Sequence, residues 1–158
     1  MTPHRILFVC TGNICRSPTA EGVLRHKAAE AGLGEALVID SAGLAHYHIG
    51  DPPDARAQRQ AASKGYDLSD QRCRAVAPDD FERFDLLLGM DHGHVRGLGR
   101  QAPADRAERV RLFLDYAPGL EGRDVPDPYY GGMEDYALAL DLIERGVEGL
   151  LASLVHKT

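Results

Sequence analysis

The amino-acid sequence predicts an α/β fold, a single domain with a four-stranded parallel sheet and helices on both of its faces. Short apolar segments alternate along the chain with segments of helical periodicity, a pattern typical of strands joined by right-handed crossover helices. The apolar segments are continuous, as expected of strands covered on both faces. A length of 158 residues and a hydrophobic content of 44% suit one core, so we expect a single domain over residues 1–158.

The individual elements follow in order from these patterns. Strands are predicted at residues 5–10, 37–42, 84–90 and 110–114. After the first strand, residues 17–31 carry apolar side chains at helical spacing and are followed by Gly32, which favours a helix stop. Weaker or shorter helices are predicted at residues 54–64, 78–82 and 91–98.

The most regular pattern lies near the end of the chain, where apolar residues recur every three or four positions and form one broad face. These residues are Tyr136, Ala139, Leu140, Ile143, Val147, Leu150, Leu151, Leu154 and Val155. Residues 43–53 and 115–132 are predicted to be long loops, which in compact domains are usually functional or disordered. Both follow strands, so both should approach the carboxyl edge of the sheet, where parallel α/β folds bind ligands.

A loop with reactive side chains follows the first predicted strand. It places the Cys10 thiol and the Arg16 guanidinium at the two ends of a seven-residue segment, with the Ser17 hydroxyl directly after. Backbone N–H groups, the positive end of the next helix and the guanidinium would converge on an anion such as a phosphoryl group. The same field stabilises a thiolate, so Cys10 is predicted to be a nucleophile. Chance alone would give this spacing on the order of one time in a hundred. The predicted phosphate-binding residues are Thr11, Gly12, Asn13, Ile14, Cys15, Arg16 and Ser17.

Composition and charge exclude several classes of function. A net charge of −6 leaves no basic footprint for nucleic acid. The first apolar segment is too short for a signal peptide, and no stretch approaches the roughly 20 apolar residues of a membrane span. The three cysteines argue against a disulfide framework. We therefore expect a cytoplasmic protein, a monomer or weak dimer, with neither nucleic acid nor membrane as a partner.

The loop and a downstream segment resemble those of the low-molecular-weight protein tyrosine phosphatases. Residues 9–18 nearly complete that family's Val-Cys-x-Gly-Asn-Ile-Cys-Arg-Ser-Pro pattern, and residues 127–131 resemble its general-acid loop. Ser41 and the pair Met90-Asp91 belong to the same resemblance. It implies hydrolysis of phosphotyrosine in proteins, and of aryl phosphate monoesters, by way of a phosphocysteine intermediate that water then hydrolyses.

The resemblance also implies roles for individual side chains. Arg16 is expected to hold two phosphoryl oxygens, and Asp127 to act first as general acid and then as general base. By itself, Asp127 before a proline would instead be interpreted as a turn residue. Ser17 is expected to donate to the sulfur of the nucleophile, the alternative being a helix cap. Asn13 is interpreted as a structural residue of the curved loop that Ser41 hydrogen-bonds.

Aromatic residues are candidates for the walls of the substrate pocket. Tyr47, Tyr129 and Tyr130 would suit a phosphotyrosyl ring, although ordinary surface packing is an alternative interpretation. Ile14 stands where the related arginine phosphatases have threonine, and its apolar side chain disfavours a guanidinium. Hydrolysis of phosphoarginine therefore remains only an alternative.

The other cysteines and the histidines allow redox and metal chemistry to be weighed. Cys15 is a candidate for a protective disulfide with Cys10, or else a small packed thiol. Cys73 is predicted to be buried and inert. No metal or other cofactor is predicted, because the histidines lack matching ligands. Solvated side chains are expected for His46, His48, His92 and His94.

Three positions depart from the pattern of the family. Gln71 stands where members usually have histidine and Cys73 where they have alanine, which leaves open whether Ser41 still steadies the phosphate loop. Tyr47 stands where many members have tryptophan. Two other functions compete with the phosphatase. An arsenate reductase on a similar scaffold needs two further cysteines near the third strand, and residues 86–90 have none. A non-catalytic phosphate-binding module is disfavoured because the thiol, guanidinium and carboxylate are all present.

Overall fold

A computed structural model describes residues 4–155 and shows a parallel sheet of four strands in the order β2-β1-β3-β4. The strands are β1 (His4–Cys10), β2 (Leu37–Gly43), β3 (Leu86–Gly89) and β4 (Val110–Leu112). Three parallel pairings connect them, β1 with β2, β1 with β3 and β3 with β4. The predicted four-stranded parallel sheet is confirmed.

Helices cover both faces of this sheet, also as predicted. They are α1 (Arg16–Glu30), α2 (Ala55–Ala62), α3 (Asp80–Arg83), α4 (His92–Gln101) and α5 (Met133–Val155). Short 3-10 helices, which the sequence patterns did not predict, lie at Gly34–Ala36, Ala104–Arg109 and Phe113–Tyr116. None of the helices in the described part of the chain is both long and apolar enough to cross a membrane.

The core has two halves because successive side chains of β1 point to opposite faces of the sheet. Ile6 and Phe8 pack in the larger half, with apolar residues of α1, α2 and α5. Leu7 and Val9 pack in the smaller half, with Phe81 and other residues around α3 and α4. Since β1 is buried on both faces, its continuous apolar sequence is explained.

The fourth strand ends earlier than predicted. Phe113 and Leu114 are fully buried but belong to a 3-10 helix rather than to β4. Gly146 of α5 leaves the space that the Phe113 ring occupies, and Gly149 leaves room for the backbone of Tyr116. An apolar segment this short does not distinguish a strand from a buried helical turn, which is why the boundary was misplaced.

The strand order places the end of β1 at a topological switch point. From β1, the chain crosses over to β2 on one side, while β3 pairs on the other side. Ligands of open α/β sheets bind in the crevice at such points, and Cys10 is the last residue of β1. A side chain at Gly43, the last residue of β2, would collide with the backbone of Thr11 and Gly12. Glycine at this position therefore lets the two strand ends approach closely.

Candidate active site

The loop between β1 and α1 is held from outside by its carbonyl groups. The carbonyl of Thr11 accepts a hydrogen bond from Ala45 N–H at 2.8 Å, and that of Ile14 accepts one from Asp54 N–H at 2.8 Å. In a trans peptide the carbonyl and the following N–H point in opposite directions. The N–H groups that follow these carbonyls therefore point toward the concave side of the loop, where an anion would bind.

The side chain of Asn13 organises the interior of the loop. Asn13 has a positive φ of 59°, as expected of a residue type that tolerates this conformation. Its Nδ2 donates to Ser17 Oγ at 2.9 Å and to Ser41 Oγ at 3.0 Å, and its Oδ1 accepts from Arg74 N–H at 3.0 Å. The expected contact with Ser41 is therefore present.

Ser17 lies beside the sulfur of Cys10, with Oγ and Sγ 3.0 Å apart. Its oxygen already accepts a hydrogen from Asn13, which leaves its own hydrogen for the sulfur. The alternative interpretation of Ser17 as a helix cap is wrong, because α1 begins at Arg16 and its N-cap residue is Cys15.

The Arg16 side chain is buried, and residues from other segments hold its guanidinium through hydrogen bonds. Its Nη1 donates to Asp91 Oδ2 at 2.9 Å and to the carbonyl of Val125 at 2.8 Å. Its Nη2 lies 3.5 Å from His94 Nε2 and 3.7 Å from Asp127 Oδ2. Burial works to raise the pKa of the Asp91 carboxyl, but the contacts with His94 and Arg16 outweigh burial and hold it below its ordinary value.

The resemblance to the phosphatase family includes Asp91 but does not imply a role for it. A carboxylate that directly follows the third strand lies at the same sheet edge as a loop that follows the first strand, and this was the signal available in the sequence. Asp91 is also the N-cap of α4, where its Oδ1 accepts the N–H of His94 at 3.0 Å. One carboxylate thus connects the start of α4 to the guanidinium.

The prediction that His94 is solvated is wrong. His94 is buried, and its Nδ1 accepts the backbone N–H of Asp91 at 3.2 Å. The hydrogen of the neutral ring is therefore on Nε2, which lies 2.9 Å from Thr11 Oγ1. Burial, assisted by the charge of Arg16, lowers the pKa of His94 from 6.5 to about 4. The ring is neutral near pH 7.

The other histidines differ in their surroundings. His46 and His92 are exposed, in agreement with the expectation, and His92 Nδ1 lies 2.6 Å from Asp124 Oδ1. His48 is half-buried and lies over Gly12, where a Cβ would be only 3.1 Å from the imidazole. The pocket position of His48 was missed, although it directly follows Tyr47 in the sequence. Within residues 4–155, no group of three His, Cys, Asp or Glu side chains is placed to hold a metal ion.

A cleft opens over the loop and brings the predicted pocket residues together. It is lined by Cys10, Thr11, Gly12, Ile14, Cys15, Arg16, Tyr47, His48, Asp127, Tyr129 and Tyr130. Tyr47 and Tyr130 are 81% and 92% exposed and form the rim. The rings of Tyr129 and Tyr130 meet edge to face, with centroids 4.9 Å apart. The side chains of Asn13, Ser17 and Ser41 are buried behind the cleft, where they support the loop that forms its floor.

Asp127 faces the cleft from the loop before α5. Its Oδ2 is the atom near Arg16, while its Oδ1 accepts the N–H of Tyr129 at 3.0 Å. The interpretation as a turn residue therefore holds as well, and the turn fixes the backbone that presents the carboxylate. The side chain is 45% exposed, which gives it access to both solvent and cleft.

Both remaining cysteines are buried free thiols. Cys15 Sγ lies 3.5 Å from the Tyr136 hydroxyl, and burial raises the pKa of the Cys15 thiol to about 12. Cys73 donates its S–H to the carbonyl of Asn13 at 2.8 Å, and burial raises the pKa of its thiol to about 11. Cys73 is thus buried, as predicted, and its hydrogen bond to Asn13 additionally braces the phosphate loop.

The departure at Gln71 is compensated by another residue. Gln71 Nε2 donates to the carbonyl of Pro18 at 2.8 Å. Ser41 instead donates to Glu21 Oε1 at 2.7 Å, so it keeps an anchor on its far side. Glu21 lies four residues after Ser17 in α1, which was the only sequence signal for its position.

A parallel α/β domain with a Cys-x5-Arg-Ser loop at the switch point of its sheet, and a carboxylate across the cleft, has the architecture of a cysteine-dependent phosphatase. Comparison with known proteins narrows this class. The family model described as low molecular weight phosphotyrosine protein phosphatase matches residues 5–158. The chain belongs to this family.

Individual relatives cover nearly the whole chain. A low molecular weight protein-tyrosine-phosphatase of Streptomyces coelicolor is 45% identical over 154 residues, which are 96% of this chain and 93% of that protein. The crystal structure of a protein tyrosine phosphatase from Entamoeba histolytica has a TM-score of 0.93 at 34% identity and covers 98% of each chain. YfkJ of Bacillus subtilis has a TM-score of 0.92 at 36% identity, covering 100% of this chain and 98% of that one.

Proposed function

We propose that this protein hydrolyses phosphotyrosine in protein substrates, and aryl phosphate monoesters in general, through a phosphocysteine intermediate. The observation that carries the proposal is the meeting of three side chains in one cleft: Cys10 from the end of β1, Arg16 from the start of α1 and Asp127 from the loop before α5. Each supplies one requirement of phosphoryl transfer, namely a nucleophile, a charge clamp and a proton donor. Membership of the phosphatase family supports the same reaction.

In the first step, the thiolate of Cys10 attacks phosphorus in line with the leaving oxygen. The loop N–H groups and the guanidinium of Arg16 hold the phosphoryl oxygens. Asp127 donates its proton to the leaving phenolate as general acid. The products of this step are a phenol and a phosphocysteine.

In the second step, water attacks the phosphocysteine and the thiolate leaves. Asp127 accepts the proton of the attacking water, which reverses its role in the first step. The hydroxyl of Ser17 stabilises the departing thiolate, since it lies 3.0 Å from the sulfur and its hydrogen is free to donate. Inorganic phosphate is released and the site returns to its starting state.

The aromatic rim favours an aryl substrate over a short alkyl one. A phosphotyrosyl ring between Tyr47 and Tyr129 would gain roughly 0.5–1.5 kcal/mol per aromatic pair beyond burial. Phosphoserine has no ring to place between these tyrosines and would not gain this contribution. Ile14 lines the same cleft with an apolar side chain, which supports phosphotyrosine over phosphoarginine.

An arsenate reductase receives no support from the site. Such enzymes need two further thiols near the third strand, and the residues of β3 are Leu86–Gly89. Cys73, the third thiol, donates to a loop carbonyl on the outer side.

We further propose that the domain spans residues 1–158 and acts in the cytoplasm as a monomer or weak dimer, in keeping with the acidic net charge of −6.

The proposal is tested with para-nitrophenyl phosphate and with three peptides of one sequence that carry phosphotyrosine, phosphoserine or phosphoarginine. Wild-type protein should release phosphate rapidly from the two aryl esters and at least about 100-fold more slowly from the others, a difference of about 2.7 kcal/mol in activation free energy. Cys10→Ser should retain less than about 1% of the turnover, while phosphate still raises its melting temperature. Equal rates on phosphoserine, or an active Cys10→Ser variant, would overturn the proposal.

A further inference from the structure

Glu21 is a buried acidic side chain close to the phosphate loop, and the proposed reaction steps assign it no role. It is 5% exposed and lies on α1, one turn after the residues that bind the anion. Its Oε1 accepts the Ser41 hydroxyl at 2.7 Å, and its Oε2 lies 2.8 Å from Arg25, which is 55% exposed on the solvent side. Burying a carboxylate costs free energy unless it is paired, so the presence of a buried glutamate at this position needs an explanation.

A continuous chain of hydrogen bonds leads from Glu21 to the sulfur of Cys10. From Ser41 it continues through Asn13 Nδ2, at 3.0 Å, to Ser17 Oγ at 2.9 Å and then to Cys10 Sγ at 3.0 Å. Its N–H···O and O–H···O bonds lie within the normal range of distances. The carboxylate and the nucleophile are therefore the two ends of one buried network.

The charge of Glu21 fixes the direction of the hydrogen bonds made by Ser41, the first group of this network. An ionised Glu21 can only accept, so Ser41 must donate to it and must accept from Asn13. The amide orientation of Asn13 is fixed independently, because its Oδ1 accepts the N–H of Arg74 at 3.0 Å. Asn13 then also donates to Ser17, whose hydrogen is left for the sulfur. All donors are thereby aligned toward a negatively charged Cys10.

We propose that Glu21 is a positioning residue that acts through Ser41 and Asn13 to hold and polarise the hydrogen bond from Ser17 to the Cys10 thiolate. In this chain the role falls to Glu21 directly, because Gln71 donates to Pro18 and leaves Ser41 to the carboxylate. A charge-assisted bond to Ser41 is stronger than a neutral one and polarises the bonds beyond it. The inference rests on the proposed function, in which this thiolate is nucleophile and leaving group.

The protonation of Glu21 depends on its burial and on the groups that surround it. Burial raises the pKa of the Glu21 carboxyl above its ordinary value, while Ser41 and Arg25 act to lower it. Glu21 also lines a surface pocket, whose other charged residues are Arg25, Asp40, Asp67, Asp70 and Arg72. As the pH falls through the raised value, Glu21 becomes neutral and the polarisation of the network weakens. Acidification should therefore reduce the reactivity of Cys10 more in wild type than in a variant without this charge.

The test is the pH dependence of Cys10 alkylation by iodoacetamide in wild type and Glu21→Gln, with the labelled cysteine assigned by tandem mass spectrometry. The variant keeps the shape of the side chain and removes its charge. We expect the midpoint of alkylation to rise by about half a pH unit, and kcat on para-nitrophenyl phosphate to fall by about 3- to 10-fold, with the affinity for phosphate unchanged. Glu30→Gln, which changes an exposed carboxylate on the same helix, is the matched control and should behave as wild type.

A double variant separates action through Ser41 from a general structural effect. If Glu21 acts through Ser41, Glu21→Gln should add nothing to the effects of Ser41→Ala. Additive effects, or an unchanged alkylation midpoint in Glu21→Gln, would overturn the inference. Should Glu21→Gln fail to fold, Ser41→Ala alone carries the test, and a wild-type alkylation profile in that variant counts against it. Alkylation needs no turnover, so a protein that shows these shifts but hydrolyses no phosphate ester would refute the proposed function instead.

Discussion

Arg16 and Asp91 form an ion pair in which Nη1 and Oδ2 are 2.9 Å apart and the arginine side chain is only 4% exposed. The carboxylate is itself fixed, because its other oxygen caps the first turn of α4 through the N–H of His94. The guanidinium is therefore held in place by the start of a helix as well as by its own loop. Such preorganisation reduces the entropy lost when the phosphoryl oxygens bind.

The first prediction separates the two roles of Asp91. Asparagine is as good an N-cap as aspartate, so Asp91→Asn should keep the stability of α4 while it loses the charge that holds Arg16. We expect kcat/KM to fall by about 10-fold, roughly 1.4 kcal/mol of transition-state stabilisation. Asp91→Ala should lose about 1 kcal/mol of unfolding free energy in addition. Urea unfolding and steady-state kinetics on both variants check this, and an Asp91→Asn variant with wild-type kinetics would show that the ion pair does not matter for turnover.

The second prediction concerns stability at acid pH and the buried ring of His94. The pKa of His94 falls from 6.5 to about 4 on folding. As the pH decreases, the unfolded chain therefore binds a proton before the folded one does, and stability is lost between these two values. Between pH 7.5 and pH 5 this residue should account for a loss of about 2 kcal/mol in the free energy of unfolding.

The variant His94→Gln should flatten this part of the stability profile, because glutamine does not titrate. Its amide can still donate to Thr11, which preserves much of the local packing. The matched control is His92→Gln, since His92 is exposed and two residues away, and it should leave the loss near its wild-type value. An equal pH dependence in wild type and His94→Gln would mean that His94 is not the titrating group.

The third prediction concerns oxidation of the nucleophile. Brief treatment with peroxide should inactivate the enzyme, and dithiothreitol should restore it by reducing a disulfide between Cys10 and Cys15. The Cys15 thiol is weakly acidic, with a pKa of about 12, so the disulfide should form slowly and part of Cys10 should be oxidised further. Of these products dithiothreitol reduces the disulfide but not sulfinic or sulfonic acid. Cys15→Ser should therefore recover much less activity than wild type. Peptide mapping that finds only sulfinic or sulfonic acid at Cys10 in the wild type would reject a protective role for Cys15.

Local sequence patterns reveal some features of this protein and not others. The phosphate loop was predictable because its residues are contiguous and their chemistry needs that spacing. The sheet was predictable because β1 is buried on both faces and has a continuous apolar sequence. Contacts between distant segments were less accessible. The burial of His94 depends on how the first turn of α4 packs against Thr11, and nothing in the residues around His94 distinguishes a buried ring from a solvated one.

The hydrogen bond that anchors Ser41 is a second contact between distant segments that local patterns do not reveal. The change at Gln71 was visible in the sequence, and it left open whether Ser41 would lose its partner. Glu21 replaces that partner because α1 carries it to within 2.7 Å of the Ser41 hydroxyl. This relationship follows from the packing of α1 against β2, which no single segment encodes.

The last prediction distinguishes the acid from the nucleophile by leaving-group dependence. A general acid matters most when the departing oxyanion is a poor leaving group. Asp127→Asn should therefore lose about 100-fold or more in kcat on phenyl phosphate or phosphotyrosine, whose phenols have pKa values of about 10. On an aryl ester with a strongly acidic phenol the loss should be much smaller, and the affinity for inorganic phosphate should barely change.

Two results would remove Asp127 from the role of proton donor. One is an equal loss on all esters, which would indicate that the variant disturbs Arg16, 3.7 Å from Asp127 Oδ2, rather than proton transfer. The other is full activity on phenyl phosphate. In either case Asp124 is the next carboxylate to test on the same loop, although its Oδ1 is already engaged with His92 at 2.6 Å. That contact turns Asp124 toward α4, whereas Asp127 lines the cleft, and Asp124→Asn should therefore leave the leaving-group dependence of the wild type intact.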